Sequence, residues 1–226
     1  MEKGMSRPRL LDLFCGAGGA AMGYHWAGFE VVGVDIKPQK HYPFEFHQAD
    51  ALTYPLEGFD AYHASPPCKA DNQAVLCRPK HENARAKYER YIAPTRELLL
   101  ATGKPFVMEN VPLARKQLIN PIMLCGTYFG LKLKRHRYFE LHGFDILFMP
   151  ASCGCKGKAG YTNANGGFSA FEKGAKLISV AGHNFAVEDA KIAMMMDWTG
   201  QVGLSQAIPP AYTKFIGRYL MQVVRA

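Results

Sequence analysis

Residues 9–35 constrain the fold more than any other stretch of the chain. RLLDLF (9–14) is a short apolar run that stops at CGAGG, residues 20–27 follow as a helix, and EVVGVD (30–35) is a second apolar run ending in a carboxylate. A strand that meets glycines, turns into a helix and returns as another buried strand is the opening unit of a parallel sheet. Glycine lets the backbone turn sharply and approach a ligand closely. An acidic residue about 20 residues further on stands where a ribose hydroxyl is usually held. Gly16, Gly18, Gly19 and Asp35 are therefore candidate contacts for a nucleoside-bearing cofactor. The loop also fits the pattern G-x-G-x-x-A, so taken alone it is compatible with a nicotinamide cofactor, or with a tight turn that binds nothing.

The alternation continues. A third short strand is expected to end near Asp50 in FHQAD, and a fourth, FDAYHAS (59–65), is stopped by Pro66 and Pro67, which cannot donate to a ladder. Residues 85–102 carry apolar side chains at helical spacing, and PFVMENV (105–111) reads as a fifth strand. Strands alternating with helices imply an α/β fold with a mostly parallel sheet covered on both faces. The stretch 142–185 is instead rich in glycine and small polar residues and reads as loops with a hairpin. Helices at 187–198 and 210–224 close the chain. The expected organisation is a catalytic domain of residues 1–141 and 186–226, carrying a small recognition insert at 142–185. About 45 residues cannot build an independent core without a staple.

Composition narrows the function. Of 226 residues 48% are hydrophobic, enough for a real core, and 27 Lys and Arg against 19 Asp and Glu leave a net charge of +8. A basic globular chain is expected to meet a polyanion, most often nucleic acid. No apolar run reaches the roughly 18 residues of a membrane span, and MEKGMSRPR is too polar for a signal peptide. The expectation is a cytoplasmic, monomeric protein without a membrane partner. The six cysteines then read as reduced thiols, one of which is free to be a nucleophile. Cys153 and Cys155, with His142 or His183, are candidate zinc ligands, but C-x-C is not a usual zinc spacing and no metal is expected.

Ser65-Pro66-Pro67-Cys68 follows the fourth strand, at the edge where open α/β sheets bind ligands. Two prolines stiffen the backbone and hold the Cys68 thiol at the crevice rather than in the core. Glu109, ending the fifth strand, falls on the same rim, where a carboxylate can bind or donate a proton or simply form a surface ion pair. Arg135 and Arg137 in KRHRYF alternate on a strand and should share a face, as a clamp for a phosphate or a base edge.

LDLFCGAGG (11–19), SPPC (65–68), MENV (108–111), RHRYF (135–139) and SQAIPP (205–210) together resemble the cytosine-5 DNA methyltransferase family, in that family's order. The resemblance spans nearly the whole chain outside the insert and implies a Rossmann-like methyltransferase fold. It further implies S-adenosylmethionine as cofactor, double-stranded DNA as substrate, and a bacterial or phage modification system as setting. Phe14, Gly16, Gly18, Gly19 and Pro66 would then line the cofactor pocket, with Asp35 on the ribose and Asp50 near the adenine. Cys68 would add to cytosine C6, Glu109 would hold or protonate N3, and Arg135 would contact the base with Arg137 nearby. The residue types suit that chemistry, because C5 becomes nucleophilic only once a thiolate has added at C6. A base inside a duplex must also be flipped out to be reached.

The chain departs from the family pattern at Lys69, where glutamine usually follows the nucleophile, at Leu133, where a glutamine usually begins the arginine motif, and at Gln206, where asparagine usually precedes the prolines. These positions leave open how base flipping is compensated and which group is transferred (methyl, or a larger or carboxylated variant), and RNA stands beside DNA as a second substrate class. A catalytically silent nucleic-acid-binding relative is the rival from another class.

Overall fold

The computed structural model of the chain describes residues 6–67, 91–149, 153–155, 170, 174–183 and 185–226. Within them one sheet is formed by β1 (Arg9–Leu13), β2 (Glu30–Asp35), β3 (Glu45–Gln48), β4 (Ala61–Ala64), β5 (Phe106–Asn110), β6 (Ile122–Leu124) and β7 (Arg137–His142). The helices are α1 (Gly19–Ala27), α2 (Ile92–Leu100), α3 (Val187–Met194), α4 (Gln201–Gln206) and α5 (Pro210–Val224). Strand order is β3-β2-β1-β4-β5-β7-β6. The first five of these pair in parallel, whereas β7 runs antiparallel to both β5 and β6. The expected α/β class with a mostly parallel sheet holds.

Every position of β4 and β5 is buried, and four of five in β1. Strands covered on both faces cannot show a polar side, which is why these segments read as continuous apolar runs rather than alternating ones. On one face Leu10, Val31, Ala61 and Val107 pack with Tyr24 of α1 and Tyr212, Ile216 and Leu220 of α5. On the other, Leu11, Val32, Tyr62 and Met108 pack with Ile92 and Leu99 of α2. Helices α1 and α5 are also joined by the Thr213 hydroxyl, which donates to the Ala20 carbonyl at 2.8 Å.

A third apolar cluster joins Ala170, Ile178, Val180 and Phe185 to Leu133 and to Ala190, Met194 and Leu204 of α3 and α4. The described part of the 142–185 stretch therefore shares a core with the closing helices, as a segment too short for its own core must. No hairpin forms among its described residues. It is held to the rest by a parallel bridge between Leu133 and Ile178, with Lys134 N–H donating to the Ile178 carbonyl at 2.8 Å. Three further differences from the sequence expectations follow from local detail. Strand β6 and helix α4 are additional elements, of three and six residues. The helix expected over 187–198 stops at Met194, because Met195 takes a left-handed conformation at φ 56°. Arg135 precedes β7 rather than lying in it. No helix among the described residues is long and apolar enough to cross a membrane.

The candidate site at the carboxyl edge of the sheet

The strand order reverses between β1 and β4, and an open α/β sheet binds ligands at the carboxyl ends of its strands at that switch point. Four loops converge there: the glycine loop after β1, Asp35 at the end of β2, residues 65–67 after β4, and Glu109 and Asn110 at the end of β5. Because β7 is antiparallel, with Tyr138 opposite Asn110, its first residue Arg137 lies on the same rim.

In the glycine loop, Phe14 has a positive φ of 57° and sets its ring edge-on to Tyr91, with centroids 6.1 Å apart. Gly16 has φ 49°, and a Cβ built there would meet nothing within 4 Å, so this turn faces open space. Its N–H donates to Asp35 Oδ2 at 3.1 Å, while Lys37 N–H donates to Oδ1 at 2.9 Å. Asp35 thus braces the loop and keeps lone pairs on both oxygens for a ligand. Gly18 and Gly19 do different work. A Cβ on Gly18 would stand 2.7 Å from Pro43, and one on Gly19 would stand 2.2 Å from the Ile208 carbonyl oxygen. These two glycines serve close packing, of the loop on residues 42–43 and of α1 on the turn before α5. The loop is closed from the far end of the chain by Trp198, whose indole N–H donates to the Ala17 carbonyl at 2.8 Å. Asp50 is exposed and caps its own turn through Leu52 N–H at 2.9 Å. Ile36, next to Asp35, leaves 67% of its surface exposed at this edge.

Beyond β4, Pro66 is buried and its carbonyl accepts from the Asn110 side-chain amide at 3.0 Å, which ties the two loops together. Cys68 lies outside the described residues, as does Lys69. Glu109 is buried, with Arg137 Nε 3.0 Å from its Oε1. The Arg137 N–H is not aimed at that oxygen, and Oε1 is left buried without a hydrogen-bond partner. Burial pushes the Glu109 carboxyl above its usual value, against the opposing pull of Arg137, Arg135 and the Ser65 hydroxyl. The Ser65 hydroxyl is in turn 2.9 Å from His63 Nε2, and His63 Nδ1 is 3.0 Å from the Tyr24 hydroxyl. Burial holds the His63 ring neutral by pulling its pKa down to about 3. A neutral ring accepting from Tyr24 and donating to Ser65 leaves the serine proton for Glu109. This relay runs from α1 through His63 of β4 to Ser65 and reaches the carboxyl group at the end of β5.

Arg135 is also buried, but its guanidinium is committed mainly to backbone. It donates to the Val180 carbonyl and, at 2.8 Å, to the Ser205 carbonyl, so it clasps the insert and α4 to the rim. Burial, with Arg137 adding to it, pulls its pKa down to about 9. Its Nε remains buried without a partner. Both arginines act electrostatically on Glu109, but Arg135 precedes β7, so the expected alternation of the two along one strand does not occur.

Several participants escaped the sequence reading. Ser65, His63 and Asn110 lie inside or beside motifs that were singled out for other residues. Asp12, buried in the middle of β1, has its carboxyl raised by burial and by Asp35, and nothing local marks it. The thiols give a further correction. Cys153 is met by His136 at 3.4 Å and Cys155 by Cys125 at 3.1 Å. His142 instead stacks on Phe106 at 4.6 Å between centroids, and neither it nor His183 joins the cluster.

No family model matches the chain, and no curated protein does. Solved structures match it over nearly their full length. A protein described as a DNA modification methyltransferase encoded within an E. coli prophage superposes with a TM-score of 0.66 at 13% identity, covering 97% of this chain and 100% of that one. The Entamoeba histolytica methyltransferase EhMeth gives 0.65 at 14%, covering 96% and 99%. The S. pombe Dnmt2 methyltransferase gives 0.62 at 12%, with the same coverage. At such identities the likeness shows the fold, and it is the methyltransferase fold that the sequence resemblance implied.

Proposed function

We propose that the protein is an S-adenosylmethionine-dependent DNA methyltransferase that acts at carbon 5 of a flipped-out cytosine, with Cys68 as nucleophile. The observation that carries this reading is the buried Glu109, raised above the usual carboxyl range and facing Arg137, beside the Ser65-Pro66-Pro67 segment that precedes Cys68 in the chain. A carboxyl group held so can bind and protonate a ring nitrogen, which a surface ion pair could not do.

The glycine loop fits S-adenosylmethionine. Gly16 opens onto free space, Asp35 keeps acceptor positions for ribose hydroxyls, and exposed Ile36 offers an apolar surface for a purine. When bound, the cofactor supplies an electrophilic methyl group. The protein's part in the chemistry is then to make C5 nucleophilic. The Cys68 thiolate forms a bond to C6, electron density moves through the ring to N3, and Glu109 delivers its proton there. Once C5 has been alkylated its proton passes to a water molecule, N3 returns its proton to the Glu109 carboxylate, and the C6–S electron pair leaves with the thiolate as the aromatic ring is restored. Arg137 steadies the carboxylate that Glu109 becomes, and the unpartnered Arg135 Nε–H can donate to the exocyclic oxygen of the base. The net charge of +8 supports duplex DNA as the polyanion that delivers the base.

The deciding experiment uses duplex DNA carrying 5-fluorocytosine. Fluorine at C5 blocks the last elimination, so incubation with S-adenosylmethionine should trap a covalent complex on a denaturing gel, absent in Cys68→Ala. Mass spectrometry of the adduct maps it to Cys68 and weighs the transferred group, which settles the question that Lys69 raises. If sequence-diverse duplex DNA gives no adduct, the DNA reading is wrong. An adduct on RNA alone would move the substrate class while leaving the nucleophile in place.

A further inference from the structure

At the β6–β7 end of the same edge of the sheet, four donor atoms converge from three separate segments. Cys125 directly follows β6, His136 directly precedes β7, and Cys153 and Cys155 come from the insert. The three sulfurs and one His136 ring nitrogen all lie within 4.8 Å of one another. We infer that this Cys3His cluster is a structural zinc site that staples the insert to the end of the sheet.

The donor set and the distances both suit the metal. Zinc in structural sites is four-coordinate and tetrahedral, with Zn–S about 2.3 Å and Zn–N about 2.0–2.1 Å, so its ligand atoms stand roughly 3.5–3.8 Å apart. Here Cys155 Sγ is 3.1 Å from Cys125 Sγ, and His136 Nε2 is 3.4 Å from Cys153 Sγ. Small side-chain adjustments bring these atoms to tetrahedral edges. The cluster also has the supporting hydrogen bonds that metal thiolates ordinarily have. The Thr127 hydroxyl donates to Cys125 Sγ at 3.3 Å and accepts from the Gly154 N–H at 3.1 Å, which orients the C-x-C turn over the site. Binding forms three Zn–S bonds and one Zn–N bond, and each thiol still protonated releases its proton to solvent.

A disulfide between Cys125 and Cys155 would explain only half of the group, leaving Cys153 and His136 together for no reason. A metal uses all four. It also supplies the staple that a stretch of about 45 residues needs when it lacks a core of its own. His136 stands between Arg135 and Arg137, so the site fixes the backbone from which both arginines reach the rim.

The test is metal analysis of the full-length protein purified without chelator. One zinc per chain is expected, released by a mercurial that attacks thiolates. Replacement by cobalt should give the visible absorption of a tetrahedral thiolate site. His136→Ala should lose stoichiometric metal, whereas His136→Cys keeps four ligands and should retain it with a shifted cobalt spectrum. Thr127→Val should weaken zinc affinity about 10-fold. The idea is overturned if the wild-type protein neither contains zinc nor binds zinc or cobalt added under reducing conditions. A mass two hydrogens lower, with Cys125 linked to Cys155, would show the disulfide in its place. The zinc site stands or falls on these readouts whether or not the protein methylates DNA.

Discussion

A Cβ added by Gly19→Ala would stand 2.2 Å from the Ile208 carbonyl oxygen, where ordinary contact begins at 3.4 Å, with Met196 Sδ and Ala207 Cβ also inside that limit at 3.0 and 3.2 Å. A backbone oxygen cannot rotate away, so α1 or the turn before α5 must move by about 1 Å, in a core that packs too tightly to absorb it. Overpacking of this kind costs about 1–3 kcal/mol, which for a chain of this size lowers Tm by roughly 2–12 °C. Gly16→Ala meets nothing within 4 Å and suffers only the left-handed backbone at φ 49°, a cost of about 1–2 kcal/mol. Its methyl group, however, enters the open space offered to the cofactor. The expected outcome is a crossed pattern. Gly19→Ala melts lower but binds S-adenosylmethionine within about twofold of wild type, and Gly16→Ala binds it at least about tenfold more weakly (about 1.4 kcal/mol). Thermal denaturation and isothermal titration calorimetry read the two axes. If Gly19→Ala melts with the wild type, or both variants lose affinity equally, the division of labour within the loop is wrong.

Other consequences are equally direct. His63 is held neutral in the fold with a pKa of about 3 against 6.5 when free, so the unfolded chain binds the extra proton, and stability should fall as pH drops from about 6.5 toward 3. Melting curves across that range should show this slope in the wild type and not in His63→Gln. Glu109 carries the opposite sign, because its raised folded value means the native state holds the proton longer than the unfolded chain does. Its contribution is present below the free value of 4.5 and is lost as pH rises through the folded value, a trend that Glu109→Gln should abolish. The same substitution should slow turnover by about 10²–10⁴-fold with little change in cofactor affinity, and a variant that turned over like wild type would remove Glu109 from the chemistry. DNA affinity should fall linearly in log–log form as salt rises, and a flat titration would mean that phosphates are not the source of binding.

The parts of the fold visible in the sequence are those whose physics is local. Strand β2 is residues 30–35 in the chain as in the reading, because a buried parallel strand announces itself by an unbroken apolar run closed by a carboxylate. The glycine loop and the ends of β4 and β5 were equally plain, which is why Asp35, residues 65–67 and Glu109 reach one rim. Strand β6 was not visible, since three residues at an edge, two half-buried and one buried, are too few to carry a period. Helix α4 hides behind Gly203 and Ser205, which disfavour helix on propensity and are there for packing and a serine hydroxyl bond to Val202. What no local pattern could disclose is convergence. Arg135 finds its carbonyl partners 45 and 70 residues away. Cys125 and His136 meet a C-x-C turn that, by spacing alone, argues against a metal.

Phe14 keeps a bulky side chain at φ 57°, a backbone setting that glycine would occupy at no cost. A chain that tolerates this is retaining the ring for what it touches. Its edge rests on Tyr91, the residue that leads into α2. On the proposed function Phe14 would line the cofactor pocket, so a ligand seated against its ring would also bear on Tyr91 and the first turn of α2.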